Sequence, residues 1–142
     1  MVINLPVQQE LLEEFRHYKN NPSGEGHLTL KFNKDYTGYV IEESTLEDKQ
    51  SWDDYVTSLD EKKCKIIFKH CKFVNAGGDR SKLLAIMFNP TTAVTKDKMV
   101  ASSASLNFLA NFEGIMKKIT ADMKSEISLS ELQDICKAQF KT

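Results

Sequence analysis

The chain has 142 residues and carries 19 Lys and Arg against 20 Asp and Glu, which gives a formal net charge of −1 at pH 7. A net charge this close to zero gives no general attraction to nucleic acid, and no apolar run approaches the roughly 20 residues that cross a bilayer. The length predicts a single domain spanning residues 1–142. Three widely spaced cysteines, Cys64, Cys71 and Cys136, indicate reduced thiols in a monomeric cytoplasmic protein.

The first third of the chain predicts one helix followed by a β-hairpin. Five apolar side chains recur at helical spacing: Val7, Leu11, Leu12, Phe15 and Tyr18. Turn-forming residues at 20–24 end this helix. His27–Phe32 alternates as a strand, a turn follows at Asn33–Asp35, and Tyr36–Glu42 forms a second strand, which together predict a hairpin.

The middle of the chain predicts a short helix and then two strands. One helical face is formed by four residues: Trp52, Tyr55, Val56 and Leu59. Cys64–Val74 alternates as a strand, in which His70 is expected to be hydrogen-bonded and Cys64 to be a buried structural thiol. A glycine-containing tip at 75–78 then leads towards a buried strand over Leu83–Phe88.

A long helix is predicted after Asn89-Pro90, which ends the preceding strand because proline cannot donate a backbone hydrogen bond. Thr95 is expected to cap a helix that begins near Lys96 and runs to Phe112, since no Gly or Pro lies between them. The first turn carries Lys96 and Lys98, whose charges oppose the helix dipole with no structural benefit visible in the sequence. This indicates a partner-binding role for the two lysines and the adjoining methionine.

The last part of the chain predicts an edge strand and a final helix. Residues 115–119 alternate as the strand, and Ser128 or Ser130 is expected to cap the helix. Three residues of that helix are expected to face inward: Leu132, Ile135 and Cys136. The order of elements predicts an α/β fold, with a central mixed sheet of five to six strands flanked by helices on both faces.

The segment Phe88-Asn-Pro90, followed by a short crossover into Lys96-Asp-Lys-Met99 at the head of a long helix, resembles the actin-depolymerising factor/cofilin family. Cys64, Gly114-Ile115 and Ala121-Asp122 also fall at the family spacing, so the resemblance covers nearly the whole chain. It implies an ADF-homology domain that binds actin monomers and filaments and promotes filament severing and depolymerisation. It also implies a place in the actin cytoskeleton of the cytoplasm.

The resemblance implies two actin-binding surfaces. The first surface, of the type that binds monomers, comprises the N-terminal tail and the long helix: Ile3, Asn4, Leu5, Lys96, Lys98, Met99, Ser102 and Ser103. The second surface, which contacts a neighbouring filament subunit, comprises four residues: Arg80, Lys82, Asp134 and Lys137. Ile3 stands near the position of the family's regulatory serine, which implies that no phosphorylation switch acts there.

Two other functions stay open. The short connection at residues 20–26 resembles glia maturation factors, which bind the actin-related branch-nucleating complex, although Lys96 and Lys98 are basic where that group is acidic or neutral. A phosphoinositide-binding adaptor without actin activity would use only the basic clusters. For Arg80 and Lys82 a structural alternative exists, because cations on an edge strand discourage pairing with other strands.

No motif indicates catalysis. The three histidines, His17, His27 and His70, lack the spacing of metal ligands, and no cysteine pair has it either. The chain also lacks a Gly-x-Ser-x-Gly elbow and a glycine-rich loop of the kind that binds phosphate. The sequence therefore predicts a non-enzymatic protein with neither metal nor cofactor.

Overall fold

The computed structural model describes residues 4–21, 26–46, 51–75 and 77–139. The described residues contain four α-helices, five strands and one short 3-10 helix at Lys124–Ile127. The helices and strands, in chain order, are α1 Gln9–Lys19, β1 His27–Phe32, β2 Tyr39–Ser44, α2 Trp52–Ser58, β3 Lys65–Asn75, β4 Gly78–Phe88, α3 Thr95–Leu109, β5 Lys117–Ala121 and α4 Leu129–Gln139.

The five strands form one mixed sheet in the order β2-β1-β3-β4-β5. Neighbouring strands are antiparallel except β4 and β5, which are parallel. A parallel pair needs a long crossover connection, and α3 provides it. The start of α3 is therefore placed directly after the end of β4.

Two helices cover each face of the sheet. Successive side chains of β3 point to opposite faces, so both faces carry apolar residues that must be buried. Ile66 and Phe68 lie in one core cluster with residues of α1 and α3. Ile67 and Cys71 lie in a second cluster with residues of α2 and α4. We call these the first and second face. The predicted α/β class, with helices on both faces of a mixed sheet, is confirmed.

The boundaries of α3 differ from the prediction at both ends. Val94 is the N-cap, in an extended conformation, and Thr95 already belongs to the helix, so the prediction that Thr95 caps it was wrong. The helix ends at Leu109 and not at Phe112. The side-chain amide of Asn111 donates to the Phe108 carbonyl at 3.0 Å and satisfies one of the last acceptors of the helix.

Three strands start more than one residue away from the prediction. β5, expected at residues 115–119, begins at Lys117 and ends at Ala121. β2 begins at Tyr39, since Tyr36 has a φ of 58° in the left-handed region and belongs to the loop. β4 begins at Gly78, because its residues pair with β3 without interruption from there to Phe88. Before α4, the Ser128 hydroxyl accepts the Glu131 amide at 3.3 Å, which makes Ser128 the capping serine. Within the described ranges, no helix is both long and apolar enough to cross a membrane.

Candidate functional site

The first turn of α3 is built around a buried carboxylate that the sequence reasoning missed. Asp97 is only 2% exposed, although it lies between two lysines in the sequence. Its carboxylate accepts the backbone amide of Cys64 at 2.9 Å and the hydroxyl of Tyr36. Asp97 therefore connects α3 to the start of β3 and to the β1–β2 loop. Its negative charge at the helix N-terminus also offsets part of the unfavourable effect of the lysines on the dipole.

The two lysines of this turn contact different loops. The ammonium of Lys96, an exposed residue, lies 5.6 Å from the centroid of the Tyr36 ring, within the range of a cation–π interaction. Lys98 is half-buried, and its Nζ donates to the Thr91 carbonyl at 3.1 Å in the β4–α3 loop. Lys98 therefore has a structural contact, with the β4–α3 loop, that was not visible in the sequence.

An exposed stripe continues along α3 from these lysines. Met99 and Leu106 are each 59% exposed, and Ser102 is an exposed residue between them. Their spacing of three and four residues places them on one side of the helix. Ser103 is half-buried, so Ser102 is the more accessible of the two predicted serines. Leu106 was not predicted, although its distance of seven residues from Met99 is a signal that they share a helix side.

The N-terminal tail lies at the other end of α3. Asn4 is exposed and Leu5 is buried, and both line a cavity of about 530 Å³ with three residues from the end of α3 and beyond: Asn107, Phe108 and Asn111. Ile3, also predicted for the first surface, lies outside the described residues. With its 15 residues, α3 is about 22 Å long, so the first surface extends from the lysines at one end to the tail at the other.

The second surface is formed where the β3–β4 hairpin passes α4. Arg80 and Lys137 line one cavity of about 690 Å³, but Lys82 and Asp134 do not. Arg80 pairs with Phe73 and Lys82 with Cys71, which places both cations on the second face, the face that α4 covers. β5 pairs with Leu84–Phe88, so in the described residues the outer edge of Gly78–Lys82 has no neighbouring strand. That open edge is what the structural alternative for the two cations requires.

The comparison with known proteins decides the family. A family model described as cofilin/tropomyosin-type actin-binding protein matches residues 4–137. The chain belongs to the actin-depolymerising factor/cofilin family. Two relatives of known function are each 30% identical to it. Actin-depolymerizing factor 3 of Zea mays aligns over 108 residues, 75% of this chain and 77% of that protein. Cofilin of Schizosaccharomyces pombe aligns over 122 residues, 86% of this chain and 87% of that one.

The ADF/cofilin fold is also found in solved structures. The crystal structure of Streptomyces griseoflavus cofilin matches with a TM-score of 0.76 and 23% identity, and the match covers 94% of this chain and 96% of that one. At this identity the match shows the fold alone. It confirms the predicted ADF-homology architecture.

Because ADF/cofilin proteins are non-enzymatic actin-binding proteins, the histidines and cysteines need structural explanations. His70 Nε2 lies 2.9 Å from the Tyr18 carbonyl, as predicted for a hydrogen-bonded histidine. Cys64 is buried and its Sγ donates to Asn89 Oδ1 at 3.1 Å. The predicted burial of Cys64 is confirmed, and this burial raises the pKa of its thiol to about 12. All three cysteines are free and buried.

Proposed function

We propose that this ADF/cofilin family member acts in the actin cytoskeleton, where it binds actin monomers and filaments and promotes filament severing and depolymerisation. One observation carries the proposal: the exposed first turn of α3 presents Lys96 next to exposed Met99, in a chain that matches the family model over residues 4–137. The names of its relatives, cofilin and actin-depolymerizing factor, support the same function.

The first surface combines the two kinds of contact that a protein interface needs. Met99 and Leu106 offer apolar area that is exposed in the free protein and can be buried against a partner. Lys96 and Lys98 lie at the end of the same stripe and would pair with acidic side chains of actin. In this proposal α3 inserts into a cleft of one actin subunit, with Asn4 and Leu5 beside the opposite end of the helix.

The second surface would contact the next subunit of the filament. Arg80 and Lys137 line the same cavity and can bind one acidic partner together. A protein that contacts two subunits at once binds best to the filament state that presents both sites at the matching distance. Its binding therefore shifts the filament towards that state by differential affinity, and the altered twist promotes severing.

The basic cavity of the second surface also favours a second candidate function. Lys72, Arg80 and Lys137 line it together with a single acidic residue, Asp79. This excess of positive charge is suited to phosphoinositide headgroups. Binding to the actin-related branch-nucleating complex is the third candidate, but the basic first turn of α3 favours actin.

Co-sedimentation separates the three candidates. The purified protein is pelleted with actin filaments, with the branch-nucleating complex and with vesicles that contain acidic lipids. Severing is counted separately by fluorescence microscopy of single filaments. We expect co-sedimentation with filaments and an increased number of filament ends. Binding to the branch-nucleating complex or to vesicles, with none to filaments, would contradict the proposed function.

A further inference from the structure

We propose that Tyr36 is a positioning residue for Lys96, so that the β1–β2 loop, residues 33–38, is part of the actin-binding machinery. This inference rests on the proposed function, because it concerns a lysine of the first surface. Tyr36 itself need not touch actin. Its role is to hold the ammonium group of Lys96 in one place before the partner arrives.

The loop presents Tyr36 in a conformation that side chains rarely adopt. Tyr36 is the single non-glycine residue of the described ranges with a positive φ, at 58°. Its amide donates to the Asn33 carbonyl at 3.2 Å, the Asn33 amide donates to the Gly38 carbonyl at 2.9 Å, and the Thr37 amide donates to Asn33 Oδ1 at 2.9 Å. These bonds hold the turn closed. Unusual backbone conformations of this kind often occur where a side chain must point in a required direction.

The Tyr36 ring is held between the loop and α3. Its hydroxyl donates to Asp97, and its ring lies 5.3 Å, centroid to centroid, from the ring of Phe32. The hydrogen bond with Asp97 stabilises the protonated hydroxyl and raises the pKa of Tyr36 to about 12. Asp97 is itself fixed, since it also accepts the Cys64 amide. The ring below Lys96 therefore has a defined position.

Lys96 benefits from this arrangement more than Lys98 does. Lys98 is half-buried and bonded to a backbone carbonyl, which already limits its motion. Lys96 is exposed, and in the described part of the chain the one interaction of its ammonium group is the cation–π contact with the Tyr36 ring. A long side chain that is ordered in the free protein loses less conformational entropy when it binds. Removing the ring should therefore weaken binding through Lys96 specifically.

A double-mutant cycle tests this. The variants are Tyr36→Leu, Lys96→Ala and both together, and the measured quantity is the dissociation constant for actin filaments. We expect Tyr36→Leu to weaken binding by about threefold, the range of an exposed cation–π interaction. The same change should have almost no effect when position 96 is already alanine. Arg80→Ala combined with Tyr36→Leu is the matched control, and its effects should multiply independently, because Arg80 belongs to the second surface.

The outcomes distinguish this inference from the function on which it rests. If Lys96→Ala weakens binding but the two changes act independently, the positioning role is overturned and the first surface stands. If Lys96→Ala leaves binding unchanged, the inference and the first surface both fail. Should Tyr36→Leu fail to fold, Tyr36→Phe removes only the hydroxyl that holds the ring at Asp97. Its effect on binding should also disappear in the Lys96→Ala background, and independent effects there would overturn the inference.

Discussion

The two proposed surfaces hold their cations in different ways. On the first surface, Lys96 and Lys98 flank Asp97, a carboxylate that is buried and bonded to two other parts of the fold. On the second surface, Arg80 lies in the exposed part of β4, residues 78–81, whereas Leu83–Phe88 is buried. The first surface is therefore continuous with the core, and the second projects beyond it.

This difference shows which changes at a binding surface also affect the stability of the fold. Around Asp97 the groups that orient Lys96 also connect three parts of the fold, so a change there should alter folding and binding together. Arg80 and its chain neighbours Asp79 and Ser81 are exposed, so a change there should alter binding with little effect on folding. The four predictions below test this contrast, from the largest expected effect to the smallest.

The largest effect is expected from Asp97→Ala. The change leaves the Cys64 amide and the Tyr36 hydroxyl without their acceptor, and hydrogen bonds to a charged group stabilise a fold by roughly 1.5–3 kcal/mol each. We expect the free energy of unfolding in urea to fall by about 3 kcal/mol. Asp79→Ala, at an exposed position beside Arg80, is the matched control and should change it by less than about 0.5 kcal/mol. Similar losses of unfolding free energy in the two variants would contradict the proposed difference between the two surfaces.

The next effect is on binding by the first surface. Lys96→Ala combined with Lys98→Ala removes two charges that oppose the helix dipole, a gain of about 0.3–1 kcal/mol each. It also removes the bond from Lys98 to Thr91 and the contact of Lys96 with the Tyr36 ring. These terms nearly cancel, so the melting temperature should change little. Actin affinity should fall by about 2 kcal/mol or more, as measured by co-sedimentation. Salt should weaken the wild type more than the variant. A double variant that co-sediments with filaments like the wild type would contradict the assignment of α3 to the actin-binding site.

A smaller effect is expected from charge reversal on the second surface. Arg80→Glu with Lys82→Glu should weaken filament binding by about tenfold, or 1.4 kcal/mol. Binding to actin monomers, measured with a fluorescent actin, should stay almost unchanged, because the first surface is intact. Arg80→Lys with Lys82→Arg keeps both charges and is the matched control. Equal losses for monomers and filaments would show that these residues do not form a separate surface.

The smallest effect is a pH dependence of the stability of the whole fold, which should not distinguish the two surfaces. Burial lowers the pKa of His27 and of His70 from the usual 6.5. As the pH falls below about 6.5, the unfolded chain binds protons first, so the folded state loses stability until the pH passes the lowered values. Urea unfolding at pH 7.5 and 5.5 should show this loss. His70→Gln should reduce it, whereas His17→Gln, at an exposed position, is the control. Neither histidine belongs to either proposed surface, so binding by one surface should not weaken before binding by the other.

The fold was largely predictable because its signals are local. The alternation in β3, the helical spacing of apolar residues in α1 and α2, and the stop at Asn89-Pro90 each depend on a few neighbouring residues. The errors fell at boundaries. The start of β4 was placed too late because Asp79–Lys82 is polar, and only its pairing with β3 makes it a strand.

The site was predictable only in part. The lysines and Met99 were found from their position at the head of a helix. The contacts that position Lys96 join residues that are far apart in the sequence: Tyr36 and Asp97 are 61 positions apart, and Cys64 and Asp97 are 33 apart. No local pattern marks such pairs. The sequence does not distinguish Asp97 from the exposed charges around it, and the structure alone shows that it is buried.

The uninterrupted strand β4 connects the hairpin that carries Arg80 to the loop before α3, so its length contributes to the spacing between the two proposed surfaces. Its residues pair one to one with β3 from Gly78 to Phe88, with no bulge that could lengthen or bend it. From Arg80 to Phe88, where the chain turns towards α3, the strand covers roughly 26 Å. The distance between Arg80 and the start of the β4–α3 loop is therefore fixed by the strand. If both proposed surfaces bind one filament, the protein should bind best to subunits with a matching rise and rotation, and a two-residue insertion in both β3 and β4 should change that preference.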